Sequence, residues 1–180
     1  MNRQCGRILA ISGLLAWTAA HAGEPVTGPV IEGLGPVYAV PDAVLGPPPG
    51  GVMRVLFDVV DVPGDPAVSN ARIVSAARFL NMHARSGVPG DRMAVALVLH
   101  GDAGRAALED EAYWERFDTV NPDRALLARL KAAGADIYLC GQTAGFRGYE
   151  PGDILPSVDL ALSAMTALVR LQDDGYRLVP

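Results

Sequence analysis

Cys140 combines a reactive residue type with a position suited to chemistry. It closes the apolar run Asp136-Ile137-Tyr138-Leu139-Cys140, and Gly141-Gln142 follows at once. The run reads as a buried strand, Gly141 frees the backbone to turn sharply, and a helical segment from about Gln142 to Arg147 aims backbone N–H groups at the sulfur. Such donors, with the positive end of a helix, favour the thiolate, which is the nucleophilic form. Arg147 adds positive charge if the chain folds back. His100 ends an earlier apolar run, Met93 to Leu99, so in a parallel sheet it emerges on the same edge as Cys140, where an imidazole can activate a thiol. Each residue also has a plainer reading. Cysteine is among the residue types most often buried as a small apolar side chain, and a strand-end histidine commonly holds its own loop by hydrogen bonding.

Other chemistries find little here. His83, followed by Arg85, reads as solvent-facing, and one cysteine with two histidines in the expected mature chain is too small a set for a structural zinc site. No metal and no cofactor is expected. The acidic cluster Glu109-Asp110-Glu111 reads as a solvated face. No Gly-x-Ser-x-Gly elbow, phosphate-binding glycine loop or dinucleotide fingerprint is present, so a hydrolase or oxidoreductase has no supporting motif.

The elements that must position Cys140 begin after two leading segments. Arg3 and Arg7 precede the apolar stretch Ile8 to Ala20, and Ala20-His21-Ala22 places small residues two apart before Gly23. That is the pattern of a cleavable secretory signal over residues 1–22, too short to span a bilayer comfortably. Cys5 precedes the apolar stretch rather than sitting at the cleavage point, which argues against a lipid anchor. The mature protein is expected in the periplasm, free of the membrane. Cleavage leaves Cys140 as the sole cysteine, without an internal disulfide partner. In an oxidising compartment such a thiol is shielded, paired between chains, or kept for its chemistry. The formal net charge of −5 becomes more negative when Arg3 and Arg7 leave, which disfavours nucleic acid and anionic membranes as partners.

Residues 23–50 form a Pro- and Gly-rich arm that includes Pro47-Pro48-Pro49-Gly50, with enough apolar residues to pack in part on the domain or on a neighbouring subunit. Residues 51–180 form one α/β domain. Strands are predicted at Val52–Val60, Met93–Leu99, Asp136–Cys140 and Tyr176–Val179. Helical stretches are predicted over Ala67–Ser86 closed by Gly87, within Ala103–Phe117, and over Asn121–Ala133 with Asn121 as N-cap and Gly134 past the end. A last helix is predicted from about Ser157 to Asp173. Strands alternating with helices imply a parallel sheet covered on both faces, with functional groups at its carboxyl edge. The last helix is apolar over more than one face, from Leu160 and Leu162 to Val169 and Leu171, which suggests a subunit interface.

The segment Leu139-Cys140-Gly141-Gln142-Thr143-Ala144-Gly145-Phe146-Arg147-Gly148, then Ile154-Leu155-Pro156-Ser157-Val158, Leu162-Ser163-Ala164 and Gly175-Tyr176, resembles the carboxyl half of the DsrE/DsrF-like family. The Val98-Leu99-His100-Gly101 strand end also fits that family's layout, and an exported subgroup of the family looks similar even in the Pro-rich arm. The resemblance implies a three-layer α/β/α sandwich around a mainly parallel sheet of about five strands, assembled as trimers or hexamers. It further implies that Cys140 carries sulfane sulfur as a persulfide, exchanged with donor and acceptor proteins. Carried over residue by residue, that role falls on Cys140 alone; from their positions, His100 and Gln142 are read as its polar neighbours, and Gln142 and Arg147 as the substrate-binding residues. This is a carrier more than a turnover enzyme. The alternative is a non-catalytic oligomeric module, binding a small ligand or a protein, in which Cys140 is core packing.

Overall fold

The computed structural model describes residues 23–180; the expected signal, residues 1–22, lies outside the described residues. Five strands, β1 (Met53–Val59), β2 (Met93–Leu99), β3 (Asp136–Cys140), β4 (Asp159–Ala161) and β5 (Arg177–Val179), form one sheet in the order β4-β3-β2-β1-β5. Every pairing is parallel. The helices are α1 (Ala71–Arg85), α2 (Asp110–Phe117), α3 (Arg124–Ala132), α4 (Gly141–Arg147) and α5 (Ala164–Asp173). They cover both sheet faces, giving the three-layer α/β/α arrangement.

The two faces are unequal. Val55, Phe57 and Val59 of β1, Val95, Leu97 and Leu99 of β2, and Ile137 and Leu139 of β3 pack with Ile73, Leu80, Leu126 and Leu130 of α1 and α3. On the opposite face, Leu56, Ala96, Val98 and Cys140 meet α5 through Ala164 and Leu171. The inner strands are thus apolar on both sides, as a buried parallel sheet requires.

The helix expected from Ser157 to Asp173 is instead a short strand followed by a shorter helix. Asp159, Leu160 and Ala161 pair with Tyr138, Leu139 and Cys140. Ser163 is extended, with φ −157° and ψ 162°, and its hydroxyl accepts the Thr166 N–H, so α5 starts only at Ala164. Lys131 reaches Asp159 at 2.9 Å and ties this edge strand to α3.

Asn121 is not the N-cap of α3; that position belongs to Asp123. Asn121 is buried, donating to the carbonyls of Ala106 and Leu108 while its side-chain oxygen accepts the Asp123 N–H. Asp123, also buried, accepts the backbone N–H of Asn70, which caps α1. This polar chain ties the loop after β1 to the start of α3.

The arm is held on α1 by the buried Asn81 and by Arg85, whose guanidinium donates to the Thr27 and Gly28 carbonyls. Asn81 accepts from the N–H groups of Val30 and Ile31 and donates to the carbonyls of Ile31, Leu34 and Gly35. Gly35 has φ +61°, and a Cβ there would lie 2.7 Å from the Arg78 nitrogen, so the arm can lie this close to the helix only with glycine at that position. His83 is half-buried, its ring against Phe79 and its Nδ1 at 2.8 Å from the Phe79 carbonyl.

Burial raises the Asp123 carboxyl to about 6, against the hydrogen bonds from Asn70 and Ser69 and the charge of Arg105, which oppose the rise. A raised acid binds more protons folded than unfolded between about 4 and 6. Its contribution is therefore most favourable at low pH, and stability falls as pH rises through that window, by about 3 kcal/mol at most. In Asp123→Asn, urea unfolding between pH 4 and pH 7 is expected to lose this part of the slope; a slope identical to the parent's would contradict it.

Candidate functional site

Cys140 stands where β3 runs directly into α4, extended at φ −64° and ψ 117°. Gly141, the next residue, is helical, and its lack of a side chain serves a close approach rather than an unusual turn. A Cβ there would lie 2.7 Å from the Ala161 carbonyl oxygen and 3.2 Å from that of Leu162. The pairing of Cys140 with Ala161 brings the chain leaving β4 against the start of α4, so the beginnings of α4 and α5 meet at one sulfur.

Burial pushes the Cys140 thiol up, but hydrogen bonds from the Thr143 hydroxyl and from the N–H groups of Thr143, Ala164 and Gln142 outweigh it and bring the thiol below its ordinary value. Two of these N–H groups belong to α4 and one to α5. The sulfur thus sits among orphan donors of two helix starts, which favour a negative charge. Cys140 is 5% exposed and belongs to the apolar cluster under α5.

The other sequence-predicted residues lie around this centre in different ways. His100 is extended at φ −153° and ψ 178°, so it continues the alternation of β2 onto the α5 face, the face of Cys140. Its imidazole, however, is engaged with β1, where Nε2 lies 2.7 Å from Asp58 Oδ1. A carboxylate can only accept, so Nε2 carries the proton. Gln142 lies in the first turn of α4 beside Cys140, and its exposed side chain donates to the Leu162 carbonyl at 3.3 Å. Arg147, at the far end of α4, is exposed and paired with Asp102 in the 3₁₀ segment Gly101–Ala107 that follows β2.

Three participants escaped the sequence reading: Asp58, Thr143 and the Ala164 N–H. Asp58 lies inside a strand whose pattern gives it no special status. Ala164 was hidden by the misplaced start of α5, although the Ser163-x-x-Thr166 spacing is an N-cap signal. Thr143 follows Cys140 by three residues, the spacing that places two helical side chains on one face. Apolar side chains stand exposed on the elements that frame the thiol, with Phe146 of α4 at 88% and Met165 of α5 at 76%, and with Leu160, Leu162 and Val169 also exposed.

A model of the DsrE/DsrF-like family matches residues 54–180. The chain belongs to the DsrE/DsrF-like family. The match covers all five strands and leaves out the arm held by Asn81. Among solved structures, the protein of unknown function MTH1491 from Methanobacterium thermoautotrophicum aligns with a TM-score of 0.53 and 16% identity, over 71% of this chain and 97% of its own. The ychN protein from E. coli aligns with a TM-score of 0.49 and 15% identity, again over 71% and 97% of the two chains. At such identity the first of these shows a shared fold. No curated protein matches the chain. Among the described residues, no group of three or more histidine, cysteine or acidic side chains is placed to hold a metal ion, and no helix is long and apolar enough to cross a membrane.

Proposed function

We propose that this DsrE/DsrF-like protein is an exported, homo-oligomeric sulfur carrier in which Cys140 holds sulfane sulfur as a persulfide. The observation that carries the reading is the place of Cys140 at the carboxyl edge of the sheet, where β3 runs directly into α4 and pairs with the chain that leads into α5, surroundings that bring the thiol below its ordinary value. The Cys140 thiolate attacks a sulfur of a polysulfide. A Cys140 Sγ–S bond forms, the S–S bond of the donor breaks, and the shortened polysulfide leaves with the electron pair. An acceptor thiolate then attacks the outer sulfur and Cys140 departs as thiolate, so the two exchanges balance without an external oxidant or reductant. Donors at this site are anions. Arg147 is spent on Asp102 at the far end of α4 and the Gln142 amide on the Leu162 carbonyl, while the Asp58-held imidazole of His100 stands on the same sheet face as the thiol.

A second reading is favoured by the 5% exposure of Cys140 and its place among Leu56, Ala96 and Val98. In that case the cysteine is core packing, and the fold serves as a binding or interaction module.

Intact mass measurement of protein recovered from the periplasm separates the two. Under the carrier reading, the mass begins at Gly23 and gains one or more sulfur atoms after polysulfide treatment, while Cys140→Ser gains none. A native Cys140 that takes up sulfur only after denaturation would establish the core-packing reading, and an intact Met1 in the periplasmic protein would end the export proposal.

The exposed Leu160, Leu162, Met165 and Val169 support assembly from several copies, since apolar side chains clustered on neighbouring elements are commonly covered by a partner. Light scattering is expected to give a mass several times that of one chain. A monomer at micromolar concentration would contradict it.

A further inference from the structure

Asp58, His100 and Cys140 stand on three neighbouring strands at the carboxyl edge of the sheet. Leu56 of β1 and Val98 of β2 face α5, and so do Asp58 and His100, each two residues further along an extended chain; Cys140 of β3 is on that face too. The His100 N–H donates to the Val59 carbonyl at 3.0 Å, so the ladder between β1 and β2 runs on through this residue. The register pairs Leu99 with Leu139, which sets His100 against Cys140 one step on, across a strand spacing of about 4.8 Å. Asp58 is opposite Val98 and reaches the imidazole diagonally, with Oδ1 2.7 Å from Nε2. The carboxylate therefore holds the ring proton on Nε2. Nδ1, which has no hydrogen-bond partner among the described residues, is left as an acceptor. The charged groups of the surrounding elements are Asp61 in the loop after β1, Asp102 and Arg105 in the segment after β2, and Arg147 of α4. Asp102 and Arg147 pair with each other, Arg105 reaches the Pro63 carbonyl, and α5 is uncharged from Ala164 to Val169.

We propose that Asp58 is a positioning residue that holds His100 as the proton acceptor for the Cys140 thiol, in a carboxylate–imidazole–thiol series laid across β1, β2 and β3. The role rests on the reading of Cys140 as a working thiol. In the loading exchange the thiol proton passes to Nδ1, and the Asp58 carboxylate stabilises the imidazolium while Sγ bonds to the donor sulfur. The S–S bond of the donor breaks, and the shortened polysulfide leaves with the electron pair and takes the proton back from Nδ1. Atoms, charge and electrons balance with no further reactant. Without the carboxylate the ring can turn, or carry its proton on Nδ1, and in either case the acceptor is lost.

The test is the pH dependence of alkylation of the native protein by iodoacetamide, an uncharged reagent, followed by intact mass. The parent is compared with Asp58→Asn, Asp58→Glu, His100→Ala and the Asp58→Asn, His100→Ala double variant, with Cys140→Ser as the blank. At high pH the thiol ionises without help, so the plateau reports the thiolate's own reactivity. The expected result is a loss of about tenfold on the low-pH limb in Asp58→Asn and in His100→Ala, equivalent to a midpoint about one pH unit higher, with plateaus that coincide with the parent's. Asp58→Glu, which keeps a carboxylate, should recover part of the loss, and the double variant should be no slower than His100→Ala. The sign is diagnostic. Removing a negative charge near a thiol by itself favours the thiolate, so a slower Asp58→Asn reports the imidazole and not the charge. Circular dichroism and melting report folding, and Asp58→Ala replaces an asparagine variant that fails to fold. An Asp58→Asn variant that reacts as fast as the parent or faster at low pH overturns the inference, as does a loss spread equally over limb and plateau. No sulfur donor is present in this measurement. A protein that refuses polysulfide yet shows the Asp58 and His100 dependence overturns the carrier reading alone, and one that loads sulfur with an unchanged low-pH limb overturns this inference alone.

Discussion

The site depends on the pairing of Cys140 with Ala161. β4 has only three residues and lies at the edge of the sheet, yet this pairing decides which backbone groups reach the sulfur. It lays the β4 carbonyls against Gly141 so closely that no side chain fits there, and it delivers the Ala164 N–H, the first of α5, to a thiol that already faces the first N–H groups of α4. Lys131 on Asp159 and the Ser163 cap of α5 hold the two ends of this short connection in place. A shift of β4 by one residue would turn Ala161 to the other face and move the α5 start away from Cys140.

The charge state of the thiol is a contest between two consequences of the same packing. Covering the α5 face buries the sulfur among Leu56, Ala96 and Val98 and opposes ionisation, while the helix starts that cover it supply donors that favour it. A hydrogen bond to a charged group contributes about 1.5–3 kcal/mol, and one pKa unit corresponds to about 1.4 kcal/mol, so even one good donor offsets a unit of burial. Several donors on one sulfur are enough for ionisation to gain. Asp123 shows the opposite outcome in the same fold: it too is buried and hydrogen-bonded, but its donors fall short and its carboxyl is raised to about 6.

The sheet was largely legible in the amino-acid sequence because β1, β2, β3 and β5 are apolar runs bounded by Gly, Pro or polar turns. Their number and parallel sense follow from the helices between them. The β4–α5 junction was not legible. Leu160 and Leu162 extend the apolar spacing of α5 backwards, and a three-residue strand is too short to impose a period of its own. Asn121 looked like a cap because its residue type and the following Pro122 fit one, but its amide is spent on the carbonyls of Ala106 and Leu108, a tertiary demand that local propensity does not report. At the site, Cys140 and Gln142 could be picked out from their place at a strand end. The pairing of His100 with Asp58, and the approach of Thr143 and Ala164 to the sulfur, depend on register and on segments distant along the chain.

The central claim is that the fold makes Cys140 a partly ionised thiol that small reagents can reach. The direct measurement is the rate of alkylation of the native protein as a function of pH, with site occupancy read by mass. The arrangement predicts reaction at Cys140 without denaturant, with a rate that rises to a plateau around a midpoint below that of the same thiol in the unfolded chain. A thiol that reacts only after unfolding, or whose midpoint lies above the ordinary value, would contradict it.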